Sequence, residues 1–311
     1  MNLQRLIEQY ISLQQSLGSP FTTNAAILRA FGRARGARAS IVGVRVEHVD
    51  AFLGKARPVT ATWFSKLSRL RGFFQYAVSR GYITTAPLPT VMPKRPPAFV
   101  PYIYTREELR RLLQAIKLLS HKNRVMEPVT IRTLILVYYG AGLRLHEATR
   151  LTCGDVDLSE AILKIRNTKF GKTRLVPVGP QLRQVLVQYD RTRPRRRAAD
   201  APFFATVKGG PIGMKMLHWN FRLLRDLAGI RRTDTRQQPR IHDLRHTFAV
   251  HRLTSWYQQG ADVQRLLHHL SVYLGHTHLM CTQVYLSMTP ELLRQASQRF
   301  ARYAGEEGRH A

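Results

Sequence analysis

The stretch HDLRHTFA occupies residues 242–249. His242 and Arg245 are three positions apart, so a helix beginning at His242 would place both side chains on one face. An imidazole beside a guanidinium suits an anion, because both groups can donate hydrogen bonds and the guanidinium stays charged. The stretch therefore predicts a helix whose first turn faces an anionic ligand.

A second motif, LGHTHLMCTQVY, occupies residues 274–285 and places His276 nine positions before Tyr285. A third motif, GLRLHE, places Arg144 and Glu147 directly after a glycine-rich break. A tyrosine hydroxyl is a competent covalent nucleophile toward phosphorus. Arginine forks hold the non-bridging oxygens of a phosphodiester and stabilise the charge of its transition state. Together these residue types predict attack of the tyrosine on a phosphodiester.

A fourth motif lies in the segment AILKIRNTKFGKTRLVPV, residues 161–178, where two alternating arms flank Gly171 and predict a β-hairpin. Lys169 and Lys172 lie at its tip, and Arg174 begins the second arm. A lysine on such a hairpin can protonate a leaving 5′ oxygen. Counting back from the second arm favours Lys169 for this role. Lys172 and Arg174 compete for it or contact backbone phosphate as DNA-binding residues.

The charge of the chain points to a polyanionic partner. Its 311 residues include 49 Lys and Arg against 19 Asp and Glu, a formal net charge of +30, and 39 of the basic residues are arginine. A positive charge this large repels itself within the folded chain, and it is typical of proteins that bind a polyanion such as nucleic acid. Cys153 and Cys281 are the only cysteines, which excludes a disulfide scaffold and suits a reducing cytoplasm. No apolar run suits a membrane span, and no carboxylate cluster suits Mg²⁺, so we expect neither metal nor cofactor.

A proline-rich stretch predicts where the chain divides. Residues 86–101 hold six prolines and no helical period, which is typical of an extended linker. We therefore predict a helical DNA-binding domain over 1–88, a linker over 89–101 and a catalytic domain over 102–311. Residues 1–20 indicate an amphipathic helix rather than a signal peptide or an additional DNA-binding arm, so two domains are expected.

Two apolar stripes at helical spacing predict helices in the first domain, one formed by Leu3, Leu6, Ile7 and Tyr10 and the other by Trp63, Leu67, Leu70, Phe74 and Ala77. Lys66, Arg69 and Arg71 flank the second stripe and are the candidate DNA-binding residues of this domain.

In the second domain, Thr105 and Glu108 predict a capping box at a helix start. The apolar run IRTLILVYYGAG predicts a central buried helix, and further helices are expected to begin near Gln181, Met214, His242 and Ala261. The predicted fold is mostly α, with a helical N-terminal domain and a mixed α+β catalytic domain containing a small antiparallel sheet.

These four motifs, in this order and spacing, resemble those of the tyrosine recombinase (phage integrase) family, and the resemblance covers nearly the whole chain. HxxR, LGH and a tyrosine nine residues later rarely coincide by chance. The resemblance implies a core-binding N-terminal domain and six catalytic residues, namely Arg144, Lys169, His242, Arg245, His276 and the nucleophile Tyr285. Glu147 matches the acidic residue that supports the family's site.

By this resemblance, Tyr285 forms a 3′-phosphotyrosyl bond and releases a 5′-hydroxyl, which then attacks a partner duplex. The bond energy is conserved, so neither ATP nor a cofactor or metal is expected. The implied partner is double-stranded DNA at specific recombination sites, bound by a homotetramer. A C-terminal helix carrying Leu292, Leu293 and Phe300 would dock on a neighbouring protomer. Accessory recombinases or host factors are further expected partners of this cytoplasmic, nucleoid-associated enzyme.

Alternatives remain open. The basicity and the motif around Tyr285 favour a mobile-element recombinase over chromosome or plasmid dimer resolution or an inversion switch. A non-catalytic DNA-binding accessory protein and a topoisomerase-like relaxing enzyme are the competing classes. A zinc site is disfavoured because the HxHxxC spacing is not a standard structural site; its candidate ligands would be His268, His269, His276, His278 and Cys281.

Overall fold

The computed structural model describes residues 1–18, 21–54, 59–97, 99–119, 125–166, 173–194, 197–234, 237–276 and 278–287, together with residues 294, 297 and 298. The predicted hairpin tip, with Lys169 and Lys172, lies outside these described residues, as do Leu292, Leu293 and Phe300 of the expected C-terminal helix. The chain forms two compact units, Met1–Phe99 and Val100–Ala311.

The regular elements in the described part of the first unit are helices. Its helices are α1 (Leu3–Ser16), α2 (Thr22–Arg35), α3 (Val46–Leu53) and α4 (Ala61–Ser79). Asn2 and Thr60 cap α1 and α4 through side-chain oxygens that accept backbone hydrogen bonds. Both apolar stripes predicted from the sequence lie in the core of this unit, although Trp63 is only half-buried at its edge.

The second unit combines helices with a small sheet. Its elements are α5 (Arg106–Ala115), α6 (Pro128–Gly140), α7 (Leu145–Thr149), β1 (Val156–Asp157), β2 (Ile162–Ile165), β3 (Arg174–Pro177), α8 (Pro180–Arg191), α9 (Met214–Leu227), α10 (Asp243–Gln258), α11 (Val263–Leu274) and α12 (Met280–Gln283). A short 3₁₀ turn, Val284–Ser287, follows α12. The prediction of a mostly helical protein with a small antiparallel sheet is confirmed.

The predicted capping box and central helix are both present. Thr105 accepts a hydrogen bond from the backbone of Glu108, and the Glu108 carboxylate accepts one from the backbone of Thr105. Helix α6 begins with Pro128, where proline's missing N–H is tolerated. Its Leu134, Val137 and Tyr138 are completely buried, so α6 forms the centre of the core.

The sheet is a three-stranded antiparallel meander in the order β1-β2-β3. Strands β2 and β3 are the two arms of the predicted hairpin, with Ile165 opposite Arg174. Leu163, Ile165 and Val176 are buried while Lys164, Leu175 and Pro177 are exposed, as the period of two predicts. The pairing places Arg174 at the end of the ladder nearest the hairpin tip.

Two glycine turns lie beside the beginning of α10. Gly142, after α6, has φ +58°, and Gly275, after α11, has φ +68°. A Cβ at Gly142 would stand 2.5 Å from the Phe248 ring, and one at Gly275 would stand 2.9 Å from Arg174 Nη1. Both the left-handed conformation and the close approach therefore require glycine. The peptide groups of these turns line the candidate site.

Candidate active site

Arg245 occupies the centre of the site. Its side chain leaves the first turn of α10 and is 3% exposed. Nη1 donates to the carbonyl of Gly142 at 2.5 Å, and Nη2 donates to the carbonyl of Leu274 at 2.8 Å. Burial, followed by the charge of Arg144, lowers the pKa of Arg245 to about 10. The guanidinium therefore remains charged at neutral pH while it joins the turns after α6 and α11.

Arg144 supplies a second guanidinium at the beginning of α7. Its Nη1 donates to Glu147 Oε1 at 2.8 Å, and its Nη2 donates to the carbonyl of Gly275 at 2.6 Å. The side chain is 37% exposed, so it is positioned by the protein and still reachable by a ligand. Arg144 and Arg245 together concentrate positive charge at this site.

Glu147 is held between two arginines. Its carboxylate accepts hydrogen bonds from both terminal nitrogens of Arg174 at 2.8 Å. It also accepts hydrogen bonds from the side chain and from the backbone N–H of Arg144. Burial would raise the pKa of Glu147, but the hydrogen bonds and charge of Arg174 and the hydrogen bonds of Arg144 lower that pKa to about 2. The carboxylate stays ionised and orients both guanidinium groups.

Tyr285 lies in the 3₁₀ turn after α12 and is 3% exposed. Its hydroxyl is 3.2 Å from His246 Nδ1, and its ring stacks on that of His276 with centroids 6.1 Å apart. Burial raises the pKa of Tyr285, while the charge of Arg245 and its hydrogen bond to the hydroxyl act in the opposite direction. The phenol is therefore protonated at neutral pH and lies against a cationic group.

His276 is oriented by a buried hydroxyl. Its Nδ1 is 2.7 Å from the hydroxyl oxygen of Thr282, a residue of α12 with no exposed surface. Burial, followed by the charges of Arg245 and Arg144, lowers the pKa of His276 to about 4. The imidazole is accordingly neutral at physiological pH. Its second nitrogen, Nε2, can then serve as a hydrogen-bond donor when Nδ1 accepts from the threonine.

His242, the N-cap residue of α10, forms a pair with His246 in the first turns of that helix, with ring centroids 5.1 Å apart and planes nearly perpendicular. Burial and the charge of Arg245 lower the pKa of His242 to about 4. Burial and the neighbouring His242 lower the pKa of His246 to about 3. Both rings are neutral before any anion arrives.

The structure brings together most of the residues that the sequence singled out, taken from motifs far apart along the chain. Electrostatic coupling and hydrogen bonds join Arg144, Glu147, His242, Arg245, His276 and Tyr285. Lys169 was expected as the general acid, and Lys172 as a phosphate contact; both lie outside the described residues. The gathered residues can bind an anion and present a phenol to it.

The expected DNA-binding residues have differing surroundings. Arg71 is exposed. Lys66 is half-buried, where it donates to the carbonyl of Phe52 at 3.2 Å and lies 4.8 Å from that ring. Arg69 is half-buried, and its Nε has no surface of its own. Arg174 differs most from expectation, because its side chain is 13% exposed and its guanidinium faces Glu147 rather than solvent.

Sequence reasoning did not single out His246, Thr282 or the ion pair of Arg174. His246 follows His242 by four positions, so helical geometry already placed them on one face. Thr282 precedes Tyr285 by three positions, but its role depends on His276 across a turn. The partner of Arg174 is distant in sequence, and no local pattern indicates it.

Among the described residues, no group of three or more His, Cys, Asp or Glu side chains is arranged to hold a metal ion. Over the same residues, no helix combines the length and the apolar character needed to cross a membrane.

The sequence of the second unit matches the phage integrase family over residues 103–291. The chain belongs to this family, whose members are tyrosine recombinases, and it is a DNA-cleaving and rejoining enzyme. The putative integrase/recombinase y4rB of Sinorhizobium fredii is 34% identical over 307 residues, which cover 95% of this chain and 96% of that protein. The tyrosine recombinase XerA of Thermococcus onnurineus is 30% identical over 230 residues, which cover 74% of this chain and 72% of XerA.

Solved structures share the fold. A lambda integrase dimer bound to a COC′ core site has a TM-score of 0.66 and 17% identity, and the match covers 90% of this chain and 96% of that one. The Tn1549 transposon integrase in complex with transposon right end DNA has a TM-score of 0.69 and 18% identity, and the match covers 98% of this chain and all of that one (100%).

Proposed function

We propose that this chain is a site-specific DNA recombinase that integrates, excises or transposes a mobile element through a 3′-phosphotyrosyl intermediate. The observation that carries the proposal is the position of the Tyr285 hydroxyl, which lies 3.2 Å from His246 Nδ1 and faces the charge of Arg245 in a site that also holds Arg144 and His276. A nucleophile beside several anion-binding groups is the arrangement that phosphoryl transfer needs.

In this proposal the scissile phosphate lies against Arg144 and Arg245, whose charges stabilise the extra negative charge of a five-coordinate phosphorus. His242 and His276 donate hydrogen bonds to its non-bridging oxygens. Both rings have a depressed pKa in the free protein, of about 4 in each case. A bound phosphate adds negative charge beside them and so raises both values toward neutrality. Glu147 keeps the arginines oriented throughout.

The covalent step forms a bond between the Tyr285 oxygen and phosphorus and breaks the bond from phosphorus to the 5′ oxygen, while the phenol proton passes to solvent. The departing 5′ oxygen takes a proton from Lys169, which we propose as the general acid because it lies in sequence between strand β2 and strand β3, which carries Arg174. The free 5′-hydroxyl of a partner strand then reverses the step and restores a phosphodiester. No net bond energy is lost, so the cycle closes without ATP.

DNA binding in this proposal uses both units. The first unit, predicted as a core-binding domain over 1–88, would contact the DNA backbone through Arg71, with Lys66 and Arg69 beside it. Lys172 would contact phosphate from the hairpin. We propose a homotetramer on two DNA sites. Supporting this, a lambda integrase tetramer bound to a Holliday junction shares the fold, with a TM-score of 0.67 at 16% identity.

The mobile-element role is favoured by the kind of relatives that match along nearly the whole chain. Two putative integrase/recombinases of Sinorhizobium fredii match 95% and 94% of it. The XerA and XerC tyrosine recombinases match about three quarters of it or less, at 26–30% identity. Resolution of chromosome or plasmid dimers, by the same chemistry, is the second candidate.

The chemistry is tested with nicked suicide duplexes drawn from the DNA that flanks the coding region. Wild type and Tyr285→Phe are incubated with each duplex in EDTA and separated on a denaturing gel. We expect a DNA-linked protein band with wild type alone. Specific binding without any covalent band would instead favour a non-catalytic accessory protein, and an adduct formed by Tyr285→Phe would refute the nucleophile.

The role is tested on a plasmid carrying two copies of the cleaved site in direct repeat around a marker, with a second plasmid carrying one copy. A mobile-element recombinase is expected to release the marker circle and to insert it into the second plasmid. Reduction of plasmid multimers without insertion would favour dimer resolution. Relaxation of a plasmid without any site would favour a topoisomerase.

A further inference from the structure

The hydroxyl of Tyr285 has two polar neighbours. The charge of Arg245 faces the hydroxyl oxygen, and a guanidinium can only donate a hydrogen bond because it has no lone pair with which to accept one. His246 Nδ1 lies 3.2 Å from the same oxygen, and an unprotonated ring nitrogen is an acceptor. A hydrogen bond from the phenol to His246 therefore requires the tautomer in which the ring carries its proton on Nε2 and accepts at Nδ1.

We propose that His246 is a further catalytic residue of this enzyme, which accepts the hydrogen bond of the Tyr285 hydroxyl and so holds the nucleophile ready for attack. The inference rests on the proposed role of Tyr285. Fixing the proton on one side of the oxygen leaves its lone pairs for Arg245 and for phosphorus. Orientation of a nucleophile before reaction lowers the entropic part of the barrier.

The surroundings of His246 keep its ring neutral, so that one ring nitrogen is free to accept a hydrogen bond. His242 packs against the ring on its own helix, and Arg245, Arg240 and His276 face it as well. Burial and these neighbours all disfavour an imidazolium, with no carboxylate among the causes of the shift. A protonated ring would present an N–H to the hydroxyl oxygen and could no longer accept a hydrogen bond from the phenol. The cluster of cationic and imidazole groups thus serves the nucleophile as well as the phosphate.

Helical geometry explains why His246 can reach the nucleophile. His246 of α10 lies one turn after His242, the N-cap residue of that helix, and their rings are in edge contact. His246 also contacts the Tyr285 ring, with centroids 5.6 Å apart. The tyrosine is thus packed between His246 on one helix and His276 after another. An apolar residue at 246 could preserve this packing but could not accept the hydrogen bond.

Two variants of similar size separate hydrogen bonding from packing. His246→Asn places an amide oxygen near the position of Nδ1, whereas His246→Leu fills the space without an acceptor. The measurement is the single-turnover rate of covalent adduct formation at saturating DNA, using the suicide duplex that wild type cleaves. We expect His246→Leu to slow this step about tenfold, the scale of one neutral hydrogen bond, and His246→Asn to recover most of the rate. The dissociation constant for DNA should not change in either variant.

A second substrate distinguishes whether His246 acts on the attacking tyrosine or on the leaving 5′ oxygen. A sulfur atom in place of the bridging 5′ oxygen leaves as a thiolate and needs no proton. This substrate should restore cleavage to Lys169→Ala, which lacks the proposed general acid, but not to His246→Leu, whose defect lies on the nucleophile. Restoration of His246→Leu by the sulfur substrate would overturn the proposal.

The outcomes also separate this inference from the proposed function. If Tyr285→Phe forms no adduct while His246→Leu reacts at the wild-type rate, the role of His246 is refuted and the nucleophile stands. If Tyr285→Phe still forms the adduct, the proposed function fails first. Equal slowing by His246→Leu and His246→Asn, with both variants binding DNA and unfolding like wild type, would also refute the proposal.

Discussion

Arg174 in strand β3 and Glu147 in helix α7 form a two-point ion pair in which both contacts between the guanidinium and the carboxylate are 2.8 Å. The third nitrogen of that guanidinium, Nε, donates to the carbonyl of Tyr273 near the end of α11 at 3.1 Å. One side chain therefore joins the hairpin, the helix after Arg144 and the turn before His276. This relationship gives Arg174 a structural role at the site.

Replacing Arg174 should uncouple the hairpin from the site. Arg174→Gln leaves the mostly buried Glu147 carboxylate with Arg144 alone, and we expect a loss of about 3 kcal/mol in the free energy of unfolding. Chemical denaturation of the whole protein measures this loss in the free energy of unfolding. Cleavage of the suicide duplex should fall as well, because Glu147 and the hairpin lose their common anchor.

Arg110→Gln is the matched control for this prediction. Arg110 pairs with Glu107 at 2.8 Å, but both side chains are about two-thirds exposed, at 66% and 64%. An exposed pair contributes roughly 0.2–1 kcal/mol. Equal losses for Arg174→Gln and Arg110→Gln would show that burial adds nothing to the Arg174 pair.

The stability of the second unit should depend on pH through Glu147. Because hydrogen bonds from Arg174 and Arg144 overcome the effect of burial, the pKa of Glu147 falls from 4.5 to about 2 in the folded protein. A lowered pKa stabilises the fold above the unfolded value, and this contribution is lost as pH falls from about 4.5 toward 2. Unfolding free energies measured across that range should fall more steeply for wild type than for Glu147→Gln. Glu160→Gln, an exposed carboxyl, should retain the wild-type slope.

Thr282 should matter for chemistry more than for folding. Thr282→Val keeps the shape of this fully buried side chain but removes the hydroxyl 2.7 Å from His276 Nδ1. We expect adduct formation to slow about tenfold, since His276 loses its orienting partner, while affinity for DNA is kept. The control is Thr254→Val, another buried threonine, whose hydroxyl donates to the Val250 carbonyl on α10. Equal rates for the two variants would contradict a role for Thr282 in orienting the histidine.

Gly275 should tolerate no side chain. Gly275→Ala combines a left-handed backbone with a Cβ 2.9 Å from Arg174 Nη1. Gly260 has nearly the same backbone angle, φ +69°, with no atom within 4 Å of an added Cβ. Gly260→Ala should therefore cost about 1–2 kcal/mol for the backbone alone. Gly275→Ala should cost roughly 1–3 kcal/mol more, because Arg174 must move. Thermal unfolding measures the loss in the free energy of unfolding for each variant. Equal losses would show that Arg174 moves away from the added Cβ without an energetic cost.

Much of the fold follows from local patterns in the sequence. The stripes of α1 and α4, the capping box of Thr105 and the alternating arms of β2 and β3 all lie where periodicity predicts, because helices and strands repeat their buried face at fixed intervals. Arg174 shows the limit of this approach. As an arginine on a basic hairpin it is equally compatible with phosphate and with a carboxylate, and Glu147 is 27 positions away.

The sequence alone determined the family, the motif residues and the helical class, since these depend on residue types at fixed spacing. The tertiary structure decided how these residues contact one another. It placed His246 rather than solvent at the Tyr285 hydroxyl, directed Arg174 to Glu147, and placed the carbonyls of Gly142 and Leu274 at Arg245. The physical reason is that a hydrogen bond depends on distance and direction in space, and turns after separate helices set both.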